Sequence, residues 1–322
     1  MIGIPRTALT VAGAAVTIVC FVALYRGLDT EAVNALRHAR TPLLGLCFVS
    51  GVGSLVVRTE RWRQLLLQSA YLPFAQAFWT SAAGQMLNTF LPARMGDAFR
   101  GMAAATSSSR AFSLGTIVVE RVLDTGVVVL AALGALAVVP SVSWWMKPSA
   151  ILLSTVVVLA IATLAVLPCL ERHLLAQVRN RIPSRAAFAA DLLAGMRLVR
   201  KPLVVTKFVA FSIAAWGLDA FGITLAAQAC QAEISFGVGV LLVTVLAFSS
   251  AIPATGSVGV VPVACAFVLP AFGVGKGTAL AIGIVLQSLN LILTATTGSL
   301  GLWLLRYRTP STAQPLLEGK TC

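Results

Sequence analysis

Three charged residues follow a proline in an otherwise apolar stretch, within the segment GQMLNTFLPARMGDAFRG. Arg94, Asp97 and Arg100 are spaced by three, so in a helix they share one face and Asp97 can pair with either arginine. Guanidinium groups suit phosphate oxygens, and a helix that starts inside a membrane offers free backbone donors to the same anion. The spacing predicts a phosphate site; the alternative is a positively charged cap with a structural ion pair.

A second charged group consists of Glu120, Arg121 and Asp124, about two turns into an apolar run that starts near Ala111. Ionisable groups at such depth are costly unless they are paired or face a cavity. Glu120 and Asp124 are one turn apart, and Arg121 is within reach of Asp124. We expect the two carboxylates to pair with the arginines of the first segment and lock it to this helix. Direct contact with a ligand is the alternative.

A single carboxylate, Asp219, lies near the middle of another apolar run. An isolated carboxylate at membrane depth is a candidate functional group, here as a carrier in proton coupling. The alternative is a neutral side chain hydrogen-bonded to Asn290 or Gln287.

The sequence lacks the motifs of enzymes and metal sites. Its six cysteines are far apart and its histidines are His38 and His173, so neither CxxC nor HxxxH spacing occurs. It has no GxSxG, no His-containing triad and no Gly-rich phosphate loop. We predict no enzymatic activity, no cofactor and no metal. The alternative is an intramembrane enzyme that uses Glu120 and Asp124.

The elements that position these residues are apolar helices. Hydrophobic residues make up 58% of the 322 residues and charged residues only 11%, which is typical of a membrane protein. The net charge of +13 comes from short Lys and Arg groups between apolar runs, which argues against nucleic-acid binding.

Six apolar runs are close to or longer than the roughly 20 residues that a membrane-spanning helix needs. They cover residues 6–25, 42–57, 112–139, 150–168, 207–229 and 278–305. The predicted fold class is an all-α polytopic membrane protein. It forms a single transmembrane domain over residues 1–308, followed by a short cytoplasmic tail at 309–322.

Two further apolar segments, about 71–110 and 235–272, are interrupted by proline and glycine, so a straight helix cannot continue through them. Each is predicted to form a re-entrant helical hairpin, and together they suggest an inverted repeat whose halves meet at a substrate site. Thr255 and Gly256, in the second interruption, are therefore candidate ligand-binding residues. Kinked spans or interfacial loops are the alternative.

The distribution of basic residues predicts the orientation, because cytoplasmic loops carry the excess. With the N-terminus inside, eighteen basic residues are cytoplasmic and five are external. We therefore expect an inner-membrane protein with both termini cytoplasmic. Trp62 and the Trp144–Trp145 pair are expected in the inner and outer interfacial belts, and residues 172–200 are expected to contain an interfacial helix that contacts anionic lipid.

The first interruption and the helix after it resemble the flippase-like family, also called the lysylphosphatidylglycerol synthase transmembrane-region family. The residues that carry the resemblance are Asn88, Pro92, Ala93, Arg94, Gly96, Asp97, Arg100, Glu120, Arg121 and Asp124, with Arg61 to Arg63 upstream. The second interruption matches the family pattern less well, because Pro262 stands where the family has a glutamate. The resemblance covers nearly the whole chain and adds Asn88 to the candidate ligand-binding residues.

Members of this family handle membrane lipids, and several are proposed to move lipids or lipid-linked sugars between leaflets. The resemblance therefore implies a lipid transporter, or flippase, whose partner is an anionic lipid or a polyprenyl-phosphate-linked headgroup. It does not imply lysyl-lipid synthesis, because the aminoacyl-transferase domain of some members is missing. The alternative is a lipid-binding scaffold subunit that recruits a lipid- or glycan-modifying enzyme and moves nothing.

Overall fold

The structure is a computed structural model that describes residues 29–69, 71–91, 95–104, 109–138, 182–249 and 259–306, together with Val22 and scattered positions between 151 and 179. All regular structure in these residues is helical. The α-helices are α1 (Thr30–Arg37), α2 (Thr41–Leu66), α3 (Phe74–Phe90), α4 (Met95–Ala103), α5 (Arg110–Val138), α6 (Ala186–Met196), α7 (Pro202–Ala229), α8 (Phe236–Ser249), α9 (Val260–Val268) and α10 (Lys276–Arg306). Short 3₁₀ turns flank α6 and follow α9.

Three of these helices are long and apolar enough to cross a membrane: α2, α7 and α10, with 26, 28 and 31 residues. Helix α5 has 29 residues and carries the charged group at Glu120. The predicted all-α polytopic fold class is therefore confirmed. The predicted spans at 6–25 and 150–168 and the tail at 309–322 lie outside the described residues, except for Val22 and scattered positions in the second span.

The predicted second span, 42–57, is wrong in its extent. Helix α2 continues to Leu66, so Arg58 and Arg61 lie within the helix and not in a loop after it. Trp62 is fully buried, which also corrects its predicted place in an interfacial belt. The helix continues because Arg58 and Arg61 pair with carboxylates of other helices. The hydropathy of the local sequence does not show such pairing.

Both predicted interruptions have a described break at one edge, at Leu91, which is extended (φ −105°, ψ 144°), and at Gly259; residues 92–94 and 250–258 between the helices lie outside the described residues. Helix α3 ends at Phe90 and α4 begins at Met95, while α8 ends at Ser249 and α9 begins at Val260, after Gly259 in the left-handed conformation (φ 87°). With nine residues each, α4 and α9 are about 14 Å long and too short to cross a bilayer core of about 30 Å. Their re-entrant arrangement in the membrane stays a prediction.

Small residues allow the helices to pack closely, as is typical of membrane helix interfaces. A Cβ added at Gly298 of α10 would lie 2.3 Å from Met86 Cβ of α3. A Cβ added at Gly301 of α10 would lie 2.6 Å from the Trp79 carbonyl oxygen of α3. One added at Gly283 would lie 2.4 Å from the Cα of Pro262, so the residue that departs from the family pattern is packed against α10.

Helix α6 lies in the segment where an interfacial helix was predicted. It packs on α5, since a Cβ at Gly195 would lie 2.5 Å from the Phe112 carbonyl oxygen. Leu193 and Leu198 are buried, whereas Phe188 is 48% exposed. The contact of α6 with anionic lipid stays a prediction.

Helix α1, which the sequence does not predict, caps the beginning of α10. The Glu31 carboxylate accepts hydrogen bonds from the Thr278 hydroxyl (2.7 Å) and from the backbone amides of Thr278 (3.1 Å) and Gly277 (3.3 Å). An anion is favourable there because the first amides of a helix have no intrahelical acceptor. The side-chain hydrogen bond from Thr278, followed by its backbone hydrogen bond, lowers the pKa of Glu31 from its usual 4.5.

Candidate functional site

Eight charged side chains from four helices meet in one cluster, which we call the charge cluster. Helix α2 contributes two arginines, α4 and α5 each contribute both signs, and α7 contributes one carboxylate. The members are Arg58, Arg61, Asp97, Arg100, Glu120, Arg121, Asp124 and Asp219. Their four positive and four negative formal charges cancel, as burial of ionised groups requires.

Arg61 is the centre of the charge cluster and is only 2% exposed. Its guanidinium donates to Asp124, to Glu120 (Nη2 to Oε1, 3.0 Å) and to the Ser212 hydroxyl (2.8 Å). The guanidinium carbon also lies 4.6 Å from the centre of the Phe208 ring. Arg61 therefore joins α2, α5 and α7.

Two reciprocal ion pairs join α4 to α5. Arg100 Nη2 lies 2.9 Å from Glu120 Oε2, and Arg121 donates to both oxygens of Asp97, with Nε at 3.0 Å from Oδ2. The expected pairing of Glu120 with an arginine of the first segment is thus found. The expected pairing of Asp124 with the first segment is wrong, because Asp124 pairs with Arg61 and Arg58 of α2. The expected partner of Arg121 is also corrected: it is Asp97 and not Asp124.

Arg100 is 8% exposed, and its guanidinium carbon lies 4.4 Å from the centre of the Trp62 ring. A guanidinium held between a carboxylate and an aromatic ring is well placed to stabilise the fold. The prediction that Arg100 binds a headgroup is not supported by this packing and stays a prediction. The other predicted arginine, Arg94, lies outside the described residues, as do Thr255 and Gly256.

Asn88 and Asp97 hold the hairpin of α3 and α4 together. Asn88 Nδ2 donates to Asp97 Oδ1 (3.0 Å), and the Asp97 amide donates to Asn88 Oδ1 (3.2 Å). Glycine is required beside this pair, because a Cβ at Gly96 would lie 1.8 Å from the Gly84 carbonyl oxygen. The hairpin thus presents Asp97 to Arg121 at a fixed position.

Asp219 has a different partner from the ones predicted. Arg58 Nη2 lies 2.6 Å from Asp219 Oδ2, so the carboxylate is ion-paired with α2 and not bonded to Asn290 or Gln287. Arg58 also lies 3.6 Å from Asp124 and 4.0 Å from the centre of the Trp216 ring. The side chains of Arg58 and Asp219 are 23% and 28% exposed, so this ion pair is among the more accessible parts of the charge cluster.

A cavity of about 470 Å³ opens beside the charge cluster. Arg58, Arg121 and Asp219 line one part of it, and apolar side chains such as Leu246, Val261 and Leu289 line another. Along α2 the lining runs from Cys47 to Arg61, fourteen residues or about 21 Å. The cavity can therefore accommodate a molecule with a charged end and an apolar end.

Sequence reasoning did not assign Arg58 or Arg61 to this site. Both follow an apolar run that has almost the length of a complete span, and this position favours a basic cap over a continued helix. The signal that could have found them is their spacing of three, which places them on one face of a continued helix. Trp216, which donates its indole N–H to Asp124 Oδ1 (2.9 Å), gives no comparable signal.

No group of three or more His, Cys, Asp or Glu side chains in the described part of the chain is arranged to hold a metal ion. The carboxylates of the charge cluster are instead paired with arginines. This arrangement can exchange one anionic partner of an arginine for another, which is the chemistry of reversible phosphate binding.

A family model described as the lysylphosphatidylglycerol synthase TM region matches residues 10–298. The matched range includes the whole charge cluster and both interrupted segments. No curated protein and no solved structure matches the chain at a significant level.

Proposed function

Since the chain belongs to the lysylphosphatidylglycerol synthase TM region family, we propose that it binds a phosphate-bearing membrane lipid and carries its headgroup between leaflets. Membership indicates a lipid-related role in a membrane. Movement of the lipid, and the phosphate as the recognised group, are the steps that we add. The proposal involves no chemical reaction.

The observation that carries the proposal is the cavity with two kinds of lining. Arg58 and Arg121 offer guanidinium groups at the charged part, and Leu246, Val261 and Leu289 offer an apolar surface for a hydrocarbon chain. A lipid needs both, because its phosphate is costly to bury without a charged partner whereas its chain is not.

The arginines differ in what they can do. The side chains of Arg58 and Arg121 are 23% and 38% exposed, whereas those of Arg61 and Arg100 are 1% and 9% exposed. We therefore assign phosphate binding to Arg58 and Arg121, and assign Arg61 and Arg100 to holding the helices together.

Binding at Arg58 exchanges a carboxylate for a phosphate. The pair with Asp219 opens, and the guanidinium forms charge-assisted hydrogen bonds to the ligand in place of those to the carboxylate. The net free energy of this exchange is small, because a phosphate replaces a carboxylate at the same guanidinium and the displaced Asp219, which is 28% exposed, can be hydrated in the cavity. Weak net binding favours transport, in which the ligand must also leave.

The test is the loss of a labelled anionic lipid from one leaflet of vesicles that contain the purified protein. We expect the wild-type protein to accelerate this loss and Arg58→Gln to reduce it at least tenfold, since a charge-assisted hydrogen bond contributes roughly 1.5–3 kcal/mol. Arg110→Gln, at an exposed position in the first turn of α5, is the matched control and should retain the rate. If the wild-type protein binds the lipid but does not accelerate its loss from the leaflet, the result would support a scaffold and contradict transport.

The orientation is part of the proposal: an inner membrane with both termini in the cytoplasm, supported by the excess of basic residues on one side. Asn34 in α1 and Ser184 before α6 are both exposed. In a background without native cysteines, Asn34→Cys should be labelled from the outside and Ser184→Cys only after the membrane is permeabilised. Labelling of both from the outside would contradict the orientation.

A further inference from the structure

Gln287 is a buried polar residue in the wall of the cavity whose carbonyl oxygen has no hydrogen-bond partner. It lies on α10, is 6% exposed, and its Oε1 accepts no hydrogen bond in the structure. A buried acceptor without a donor costs about 1–3 kcal/mol, so such groups in native proteins call for an explanation. Ser81, which also lines the cavity, has a second such atom, its hydroxyl oxygen.

Gln287 lies far from the charged part of the cavity. Helices α2 and α10 run in the same direction. Helix α1, which immediately precedes α2, contacts the first turn of α10. Helix α3, which follows α2, contacts the end of α10 at Gly301. Gly51 of α2 and Leu293 of α10 lie at the same height along the helix axes, because a Cβ at Gly51 would lie 3.3 Å from Leu293 Cδ2.

Measured from that level, Arg58 is seven residues further along α2 and Gln287 is six residues back along α10. At 1.5 Å per residue the two side chains start about 20 Å apart along the helix axes. Since α10 extends from Lys276 to Arg306, Gln287 lies close to its middle and therefore close to the middle of the bilayer.

The lining residues next to Gln287 on α10 carry no charge. Asn290, one turn further along α10, is polar, exposed and lines the same cavity, and Leu286 and Leu289 are apolar. The charged residues of the lining all belong to the charge cluster. The part of the lining around Gln287 thus offers hydrogen bonds but no counter-charge for a phosphate.

We propose that Gln287 and Asn290 form a second binding site for the headgroup, which recognises hydroxyl groups as the headgroup passes the middle of the membrane. A hydroxyl can donate to Gln287 Oε1 and accept from an amide N–H of Asn290, so this chemistry satisfies the acceptor that is otherwise unpaired. The inference rests on the proposed function and deepens it: the lipid carries hydroxyl groups in addition to its phosphate. Glycerol and sugar headgroups share this chemistry.

The experiment compares lipids of equal charge. Phosphatidylglycerol and phosphatidylinositol each have one phosphodiester charge and free hydroxyls, whereas phosphatidylpropanol has the charge without the hydroxyls. We expect the wild-type protein to move at least one hydroxylated lipid about tenfold faster than phosphatidylpropanol, as expected for one buried hydrogen bond. Preference for the inositol lipid alone would indicate a sugar-like headgroup, and preference for both would indicate any polyol.

Gln287→Met keeps the length of the side chain and removes its hydrogen-bonding groups, so it should abolish this preference and leave phosphatidylpropanol unchanged. Ser288→Ala, at the adjacent exposed position outside the cavity lining, is the control and should keep the preference. If Gln287→Met does not fold, Asn290→Leu at the exposed position provides the same test.

The outcomes separate this inference from the function on which it rests. Equal rates for all three lipids, or an undiminished preference in folded Gln287→Met or Asn290→Leu, would overturn the second site and leave transport intact. Failure of the wild-type protein to move any of the three lipids would overturn both.

Discussion

Removing the guanidinium of Arg61 should destabilise the protein more than any exposed substitution. Arg61→Met retains most of the aliphatic stem but leaves the remaining charge cluster with three arginines and four carboxylates. Glu120 keeps Arg100 at 2.9 Å, while Asp124 keeps only the Trp216 indole at 2.9 Å and Arg58 at 3.6 Å. Breaking a buried ion pair on one side costs about 3–5 kcal/mol, because the remaining charge is uncompensated.

Two comparisons make this prediction specific to charge. Arg110→Met makes the same change at an exposed position and should alter the free energy of unfolding by no more than about 0.5 kcal/mol. Combining Arg61→Met with Asp124→Asn restores equal numbers of positive and negative groups. The double variant should therefore be more stable than the sum of the single effects predicts, by about 0.5–3 kcal/mol.

The measurement is unfolding of the purified protein in detergent micelles, followed by helical content, with the same protocol for each variant. A loss of less than about 1 kcal/mol in Arg61→Met would mean that the charge cluster does not hold α2, α5 and α7 together. Simple additivity in the double variant would mean that Arg61 and Asp124 do not interact, and would refute the reasoning from charge balance.

Three further predictions concern other parts of the chain. Because the pKa of Glu31 is lowered in the folded protein, its ionised form stabilises the fold above the usual pKa of 4.5, and this contribution is lost as the pH falls through the folded-state pKa. Glu31→Gln should therefore reduce the free energy of unfolding at pH 7, and the difference in this free energy between the variant and the wild type should shrink at pH 3. Gly96→Ala should destabilise by about 1–3 kcal/mol through overpacking, whereas Gly45→Ala, where no atom lies within 4 Å of the added Cβ, should be neutral or stabilising, and equal stabilities would contradict the close helix approach. Asp219→Asn keeps the size of the side chain but removes the carboxylate that competes with a lipid phosphate for Arg58, so the affinity for an anionic lipid should rise, and an unchanged affinity would contradict the exchange proposed at Arg58.

The fold was predictable where hydrophobicity decides it. The apolar runs at 207–229 and 278–305 correspond to Pro202–Ala229 and Lys276–Arg306, and both interruptions of helix occur where proline and glycine predict them. The predicted end of the second span at residue 57 is wrong, because the helix continues to Leu66. Its charged side chains are neutralised by partners far away in the sequence, so the helix continues where composition alone would end it.

The site was predictable where its residues are close in sequence or on successive elements. The pairing of Glu120 with an arginine of the interrupted segment followed from two nearby charged groups. The pairing of Arg58 with Asp219 joins residues 161 positions apart, and either could satisfy its charge elsewhere. Such pairings depend on which helices are neighbours, and hydrophobic periodicity does not determine that in a membrane protein, where most helix faces are apolar.

The central claim is that lipid crosses through the cavity beside the charge cluster, and blocking that cavity tests it most directly. In a cysteine-free background, Leu289→Cys places a thiol in the cavity lining, whereas Ile292→Cys places one at a 53% exposed position outside that lining. After reaction with a bulky thiol reagent in vesicles, we expect lipid flux to stop in the first variant and to continue in the second. Undiminished flux with the thiol at position 289 fully modified would contradict the account.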